Sequence, residues 1–196
     1  KTYTIDGDST SKSENRGIVP RSFEHIFDYI SANSDSHKFS VTVTYVELYR
    51  EKIHDLLSKE ENPSKPLTIH EDSNNVFYIK GVTTRAVKTY DELISIQQEG
   101  RIRRVTRSTQ MNDVSSRSHS ILTLNIETLT EIEGEQHVRT ARLNLVDLAG
   151  SERYDKTGAE GDGKMEGIAI NMALTSLGNC IAALTTPGNR HVPYRD

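Results

Sequence analysis

The sequence predicts one domain of the α/β class, with helices and strands mixed along the chain. Residues 39–46 and 122–126 alternate apolar with polar side chains and are rich in β-branched residues, which is typical of strands. Apolar residues also recur at helical spacing near the end of the chain. They are Ile170, Leu174, Leu177, Ile181 and Leu184. Because the chain has 196 residues, enough for one sizeable core, we expect helices packed on a sheet.

Two further helices are predicted before that apolar stripe. Pro20 suits the first turn of a helix, and apolar residues follow it at helical spacing. They are Phe23, Ile26, Phe27 and Ile30. Thr89 and Glu92 form a capping box, which predicts a helix that begins there and continues past Gly100.

The remaining strands are predicted from alternation and from turn residues. Residues 67–80 read as short strands interrupted at 72–75, and residues 139–146 read as a strand that returns after a hairpin turn at 131–136. Polar or glycine-rich stretches predict loops between the elements. They lie at 6–17, 31–38, 62–66 and 150–163.

Composition narrows the classes of function. No stretch is apolar for the roughly 18 residues that a membrane helix needs, so we expect no membrane insertion. Cys180 is the only cysteine, so no disulfide can form within the chain and no cysteine cluster can bind a metal. The formal net charge of -4 disfavours a nucleic-acid partner. It leaves an acidic protein surface open as a partner, because the local clustering of basic residues decides such binding.

The sequence VDLAG at 146–150 is the first candidate for a metal-binding or phosphate-binding segment. It places Asp147 at the end of an apolar strand, with Gly150 three residues later. A carboxylate there can hold the shell of a Mg²⁺ ion, and a glycine N–H can approach a terminal phosphate. The same pattern also fits an aspartate that begins an ordinary turn, so alone it leaves both interpretations open.

The sequence NDVSSRSH at 112–119 is the second candidate, with three hydroxyls, an arginine and His119. Hydroxyls can bind Mg²⁺ or position a water, and arginine can pair with a carboxylate or a phosphate. A polar, serine-rich loop has the same composition. A hydrolytic Ser/His pair is conceivable, but no Gly-x-Ser-x-Gly elbow accompanies it.

Two further features have alternative interpretations. Lys1 and Thr2 are either the end of a Gly-x-x-x-x-Gly-Lys-Thr phosphate loop whose glycines precede this chain, or an arbitrary start. A basic set near position 100 either contacts an acidic surface or forms a solvated helix face. Its members are Arg101, Arg103, Arg104 and Arg107.

Taken together and in this order, these segments resemble the kinesin motor domain. The sequence LNLVDLAGSER at 143–153 is similar to the switch II signature of the family, and residues 112–119 are similar to its switch I. Lys1 and Thr2 match the end of its phosphate loop. Further resemblance lies at 17–21, 47–57, 156–161 and 192–196. The resemblance covers essentially the whole chain, and it identifies residues 1–196 as a single, incomplete kinesin motor domain.

The resemblance implies a P-loop NTPase-type three-layer sandwich. Its central sheet is mixed and mostly parallel, with helices on both faces, and only the later part of this fold is expected here. The implied parent is a microtubule-dependent motor and a Mg²⁺-dependent ATPase, associated with the cytoskeleton in the cytoplasm. Its oligomeric state stays open, and any dimerisation would use regions outside this chain. The 196 residues alone are expected to hydrolyse ATP negligibly, because the phosphate-loop glycines are not among them.

The resemblance also implies roles for individual residues. Lys1 would bind the β- and γ-phosphates of ATP, and Thr2 would bind Mg²⁺. Asp147 would hold the metal through water, and the N–H of Gly150 would sense the γ-phosphate. The two switch I hydroxyls expected to close over the metal and the attacking water are those of Ser115 and Ser116, with Ser116 also a metal ligand. The other residues expected to bind nucleotide or act in catalysis are Asn112, Arg117 and Glu152. The residues expected to face the microtubule are Lys80, Arg85, Lys156, Lys164, Asn171, Tyr194 and Arg195.

One segment departs from the family pattern. The fourth helix of the family commonly reads Ile-Asn-Lys-Ser-Leu, whereas this chain has Met172 and Ala173 at the third and fourth positions. This departure supports a second hypothesis, a non-motile kinesin-like protein that binds microtubules with little or no ATP turnover. A third hypothesis, a small G protein, lacks support because no Asn-Lys-x-Asp motif occurs in the chain.

Overall fold

A computed structural model describes residues 1–8, 14–60, 67–74, 76–110, 117–150, 162–188 and 191–194, and for 107–110 and 162–170 it describes the backbone only. The helices are α1 (Thr2–Asp6), α2 (Ile18–Asn33), α3 (Tyr90–Gln110) and α4 (Asp162–Thr185). The strands are β1 (His37–Tyr49), β2 (Lys52–Asp55), β3 (Thr68–Glu71), β4 (Phe77–Lys80), β5 (Arg85–Val87), β6 (His119–Ile132) and β7 (Glu135–Asp147). The α/β class predicted from the sequence is confirmed.

The main sheet has the order β2-β1-β6-β7, with β5 also paired to β1, and β3 and β4 form a separate hairpin. Every pair among the described strands is antiparallel. The expectation of mostly parallel pairing is therefore wrong for this part of the sheet. For β1–β2 and β6–β7 the reason is local, because tight hairpins join these strands and a hairpin can only produce antiparallel neighbours. The antiparallel pairs of β1 with β5 and β6 join strands that are far apart in the chain.

Two of these hairpins have backbone conformations that favour tight turns. Arg50 and Glu51 connect β1 to β2 with φ angles of 47° and 58°, and Glu133 and Gly134 connect β6 to β7 with φ angles of 53° and 83°. Positive φ at both central residues matches the right-handed twist of the flanking strands. The second turn lies within the predicted turn at 131–136, which is confirmed.

The hydrophobic core lies between one face of the sheet and the helices α2 and α3. Val41, Val43 and Tyr45 alternate along β1 and point to this face, as the two-residue period of a strand requires. Phe23 from α2 and Leu93 from α3 are fully buried against them. Helix α3 thereby holds Arg104 beside the beginning of β6 and the end of β7.

Helix α3 begins with the predicted cap and then approaches the sheet closely. The Thr89 hydroxyl accepts a hydrogen bond from the N–H of Glu92 at 3.2 Å, while the Glu92 carboxylate accepts from the N–H of Lys88 at 2.7 Å. The carboxylate thus reaches one residue further back than in the standard capping box. One turn after the core contacts, a Cβ built at Gly100 would overlap the ring of Tyr45. Only glycine fits at this crossing.

The predicted helix near the end of the chain is confirmed as α4, but three of the five residues of its apolar stripe are exposed. Leu177, Ile181 and Leu184 are exposed among the described side chains. Among the residues that the structure describes, no helix has the length and apolar character to cross a membrane.

Candidate nucleotide-binding site

The carboxyl end of β7 forms the centre of the candidate site, and Asp147 is its central side chain. Asp147 is 4% exposed and lies opposite Ser120 in the register of β6 and β7. The hydroxyl of Thr2, at the start of α1, donates a 2.9 Å hydrogen bond to Asp147 Oδ2. The fold therefore brings together two residues that the sequence analysis assigned to one metal site, although 145 positions separate them.

A buried arginine from α3 holds the same carboxylate from another side. Arg104 is 7% exposed, and its Nη1 donates 3.0 Å hydrogen bonds to Asp147 Oδ2 and Ser120 Oγ. Its Nη2 donates to the carbonyl oxygen of Ser118 at 3.0 Å, and its Nε lies 3.6 Å from Glu47 Oε1. Ser118 Oγ in turn donates to Glu47 Oε1 at 2.7 Å. Two carboxylates thus share one guanidinium.

Sequence reasoning missed both Arg104 and Glu47. Both interpretations of the basic set, a solvated helix face and an acidic-surface contact, are wrong for Arg104 because this side chain is buried. Helical spacing could have shown that Arg104 is buried, because it shares the inward face of α3 with Leu93, Gln97 and Gly100. For Glu47 the signal was a carboxylate at an inward position of an alternating strand, and its side chain is 1% exposed. Buried charges at such positions require partners.

The backbone of Ala149, two residues after Asp147, is held at both of its polar groups. Lys1 Nζ donates to its carbonyl oxygen at 2.7 Å, and its N–H donates to His119 Nδ1 at 3.1 Å. Burial lowers the pKa of His119, and the positive charges of Arg104 and Lys1 lower it further. The neutral ring, whose Nδ1 can accept a hydrogen bond, is therefore the favoured form.

A cavity of about 10 Å³ lies beside Asp147, between α1, α3 and the sheet. It has room for about one water molecule. Next to it, Gln97 Nε2 donates to Asp6 Oδ1 at 3.0 Å. Burial raises the pKa of Asp6, and it raises the pKa of Tyr45 to about 12. The polar lining residues are Asp6, Tyr45, Gln97, Ser120 and Asp147. Sequence reasoning gave no role to the first four.

The residues at this end of β7 fit a Mg²⁺–nucleotide complex. Mg²⁺ prefers oxygen ligands and is usually held by one or two carboxylates together with waters and substrate phosphates. Asp147 Oδ1 is buried and accepts no hydrogen bond from the described residues, so this oxygen is available to a cation or its water. In the described part of the chain, no group of three or more His, Cys, Asp or Glu side chains could hold a metal. A metal here would therefore depend on Asp147, on hydroxyls and on the nucleotide itself.

Several residues with predicted roles lie outside the described part of the chain. They are Asn112, Ser115, Ser116, Glu152, Lys156 and Arg195. Arg117 lies in the turn before β6, and Gly150 directly follows Ala149 after the end of β7. Lys164 lies in α4, where only the backbone is described. The roles of all these residues stay predictions.

The remaining residues predicted to face a microtubule lie in different environments. Lys80 is exposed at the end of β4, and Tyr194 is 61% exposed near the end of the chain. Asn171 is half-buried in α4. Arg85 donates two hydrogen bonds to the carboxylate of Glu99 in α3, at 2.5 and 3.1 Å, so its guanidinium already has a partner within the chain.

Comparison with known proteins identifies the family. The model of the kinesin motor domain matches residues 1–196. The chain is 38% identical over 219 residues to the kinesin-like protein KIF3C of Bos taurus, and 39% identical over 223 residues to KIF3C of Mus musculus. A solved fast-kinesin structure, described for its implications for ATPase mechanism and interactions with microtubules, matches with a TM-score of 0.86 and 38% identity.

These matches cover nearly all of this chain but only part of each relative. They span 100% of the chain and 27–28% of the two KIF3C proteins, and 99% of the chain and 53% of the solved fast kinesin. The described helices and sheet thus have the kinesin motor fold, as the sequence analysis predicted. The chain belongs to the kinesin motor-domain family, a family of microtubule motors.

Proposed function

We propose that this chain forms the switch-bearing part of a motor that couples ATP hydrolysis to movement along microtubules. One observation carries the proposal. Thr2, Arg104 and Asp147 come from α1, α3 and the end of β7 and meet within hydrogen-bond distance. This is where a phosphate-loop helix and a switch II strand must meet if they are to share one Mg²⁺–nucleotide complex.

The proposed roles follow from chemistry and position. Lys1 binds the β- and γ-phosphates as a point charge, and Thr2 supplies a hydroxyl to the metal. Asp147 holds the metal through a water, and Gly150 donates its N–H to the γ-phosphate. The switch I residues that complete the site are Asn112, Ser115, Ser116 and Arg117, with Glu152 in switch II. Bound Mg²⁺ would neutralise charge on the phosphate oxygens.

Loss of the γ-phosphate is proposed to release both switches and to move α4, which changes affinity for the microtubule. The microtubule surface is acidic, so binding through basic loops should weaken as salt increases. The residues proposed to face tubulin are Lys80, Arg85, Lys156, Lys164, Asn171, Tyr194 and Arg195. A cytoplasmic, microtubule-associated location follows from this partner. Any dimerisation would use other regions of the parent protein.

The test is Asp147→Asn in a complete motor domain that contains this chain. The amide keeps an oxygen that can accept from Thr2 and Arg104, but it loses the negative charge that orders the metal water. We expect microtubule-stimulated ATP turnover to fall by about 100-fold or more while ADP still binds, on the scale of lost electrostatic stabilisation. The matched control is Asp28→Asn on the exposed face of α2. Near-normal turnover in Asp147→Asn would contradict the proposal.

One observation favours a second candidate, a non-motile protein that holds microtubules without productive turnover. Met172 is 65% exposed on α4, so the departure from the family pattern lies on the surface and not in the core. Microtubule binding without ATP turnover by the unsubstituted motor domain would favour this candidate over the first.

A further inference from the structure

His119 makes a contact that the proposed roles do not use. It is the first residue of β6, and its side chain is buried. Its Nδ1 accepts a 3.1 Å hydrogen bond from the N–H of Ala149. A backbone N–H can only donate, so Nδ1 carries no proton and the hydrogen of the neutral ring is on Nε2.

The Ala149 N–H that His119 binds belongs to the peptide group between Leu148 and Ala149. The next peptide group, between Ala149 and Gly150, carries the Gly150 N–H. The peptide group that joins Ala149 to Gly150 is planar, so the direction of the Ala149 carbonyl fixes the direction of the Gly150 N–H. Lys1 Nζ donates to that carbonyl at 2.7 Å, while His119 holds the preceding peptide group. Between the two held peptide groups, only the two backbone dihedral angles of Ala149 can change.

If the proposed roles hold, the two contacts should respond differently to nucleotide. Lys1 is proposed to bind phosphate, so a phosphate oxygen would compete with the Ala149 carbonyl for its ammonium group. His119 has no such role, and its ring is buried where burial and the charges of Arg104 and Lys1 lower its pKa and favour the neutral form. Because Nδ1 is an acceptor, a phosphate oxygen does not compete for it, and its bond to Ala149 is expected to persist when Lys1 changes partner.

We propose that His119 is a positioning residue for recognition of the terminal phosphate of a nucleoside triphosphate. Its Nδ1 anchors Ala149, so that when Lys1 exchanges the Ala149 carbonyl for a phosphate oxygen, only the peptide group between Ala149 and Gly150 turns. The turn aims the Gly150 N–H at the γ-phosphate. His119 thereby increases the preference for triphosphate over diphosphate, and this inference rests on the proposed function.

Two variants of a complete motor domain that contains this chain separate this role from a merely structural one. His119→Asn keeps an acceptor oxygen near the position of Nδ1, whereas His119→Leu removes the acceptor at similar bulk. The measurement is the affinity for ADP and for a non-hydrolysable ATP analogue. We expect His119→Leu to weaken analogue binding about tenfold and ADP binding less than about twofold, because a buried donor loses its partner. In His119→Asn both affinities should stay within about threefold of the unsubstituted protein.

Equal losses for ADP and the analogue in His119→Leu would overturn the inference, as would a His119→Asn variant as impaired as the leucine variant. If the unsubstituted domain binds neither nucleotide, the proposed function itself fails. If the leucine variant does not fold, ¹⁵N NMR of the imidazole ring in the unsubstituted domain decides. A proton on Nε2 with a hydrogen-bonded Nδ1, in both the ADP and the analogue complexes, supports the anchor, and a proton on Nδ1 overturns it.

Discussion

The hydroxyl of Thr2 and the carboxylate of Asp147 are joined by a 2.9 Å hydrogen bond across 145 positions of sequence. Arg104 Nη1 donates to the same carboxylate oxygen, Oδ2, at 3.0 Å. The other oxygen, Oδ1, is buried and has no hydrogen-bond partner among the described residues. Hydrogen bonds to Oδ2 therefore orient the carboxylate, and Oδ1 stays available to bind a cation or a water of that cation.

The Thr2 hydroxyl can be removed with little change of shape. Thr2→Val should raise the Mg²⁺ concentration needed for half-maximal ATP turnover by about 10-fold or more, because a hydrogen bond to a charged group contributes about 1.5–3 kcal/mol. Thr2→Ser keeps the hydroxyl and serves as the control, with a shift of less than about threefold. The measurement is turnover of the complete motor domain against Mg²⁺ concentration. Identical Mg²⁺ dependence in the valine and serine variants would remove Thr2 from the site.

Replacing Arg104 by methionine should destabilise the fold strongly. The substitution leaves Asp147 and Glu47 buried without their shared cation, and breaking a buried pair from one side costs about 3–5 kcal/mol. Arg103→Met is the matched control in the same helix, because Arg103 forms a partly exposed pair with Glu99 at 2.8 Å, a kind of pair worth at most about 1 kcal/mol. Urea unfolding of the complete motor domain measures both. Similar losses in the two variants would contradict a special role for Arg104.

The raised pKa of Asp6 predicts a pH-dependent gain in stability for Asp6→Asn. Burial is the main cause of the shift, which means that the folded state binds the proton more tightly than the unfolded state does. The ionised carboxylate therefore costs stability once the pH rises above its unfolded value of 3.8. Asparagine removes that cost, and its amide oxygen can still accept from Gln97.

We therefore expect Asp6→Asn to unfold at higher urea concentration than the unsubstituted domain at pH 7. The difference should shrink toward zero as the pH falls below about 4, where the carboxyl is protonated in both states. Asp28→Asn, at an exposed position, should show no such trend. A gain of equal size at both pH values would mean that the charge of Asp6 is not its cause.

The combined substitution Met172→Lys and Ala173→Ser should strengthen microtubule binding. Met172 is exposed, so lysine would add a cation to the helix surface proposed to face acidic tubulin. An exposed charge pair contributes roughly 0.2–1 kcal/mol, so we expect a gain of only a few-fold. Co-sedimentation at two salt concentrations is the measurement, and the gain should shrink at the higher one. An unchanged affinity at both concentrations would show that these positions do not face the microtubule.

Arg117 and Glu152 are predicted to form a charge-assisted pair that joins switch I to switch II beside the γ-phosphate. Arg117→Glu and Glu152→Arg should each greatly reduce microtubule-stimulated turnover, because each places two like charges opposite one another. The double substitution should recover part of the activity. A double-mutant cycle measures the coupling, and strictly additive losses would show that the two residues are not paired.

Local patterns in the sequence predicted most elements of the fold, although not α1, β2 or β5. The alternation at 39–46, 122–126 and 139–146 lies within β1, β6 and β7, and the capping box at Thr89 and Glu92 marks the beginning of α3. These signals are local, because each depends on side chains a few residues apart. The antiparallel pairing of β1 with β6 depends on a contact across α3, which no local pattern encodes.

The site could be predicted only in part. Motif resemblance linked Thr2 to Asp147, because both residues lie in recognisable segments. It gave no role to Glu47, Ser118 or Gln97, whose partners lie 71 and 91 positions away along the chain. From sequence alone, a buried charged residue cannot be distinguished from an exposed one until its partners are known. Arg104 was for this reason predicted to lie on the surface, whereas it is buried against Asp147 and Glu47.

At Gly100, helix α3 lies directly against the ring of Tyr45 in β1, so the position of the helix depends on the absence of a side chain there. A methyl group there would force the ring of Tyr45 or α3 to move, and a movement of α3 would carry Arg104, one turn further along the same face. A displacement of about 1 Å is enough to break a 3.0 Å hydrogen bond to Asp147. The orientation of the Asp147 carboxylate is thus sensitive to a steric change at a residue that bears no charge, and natural variation at position 100 should alter affinity at the proposed metal site before it alters the fold.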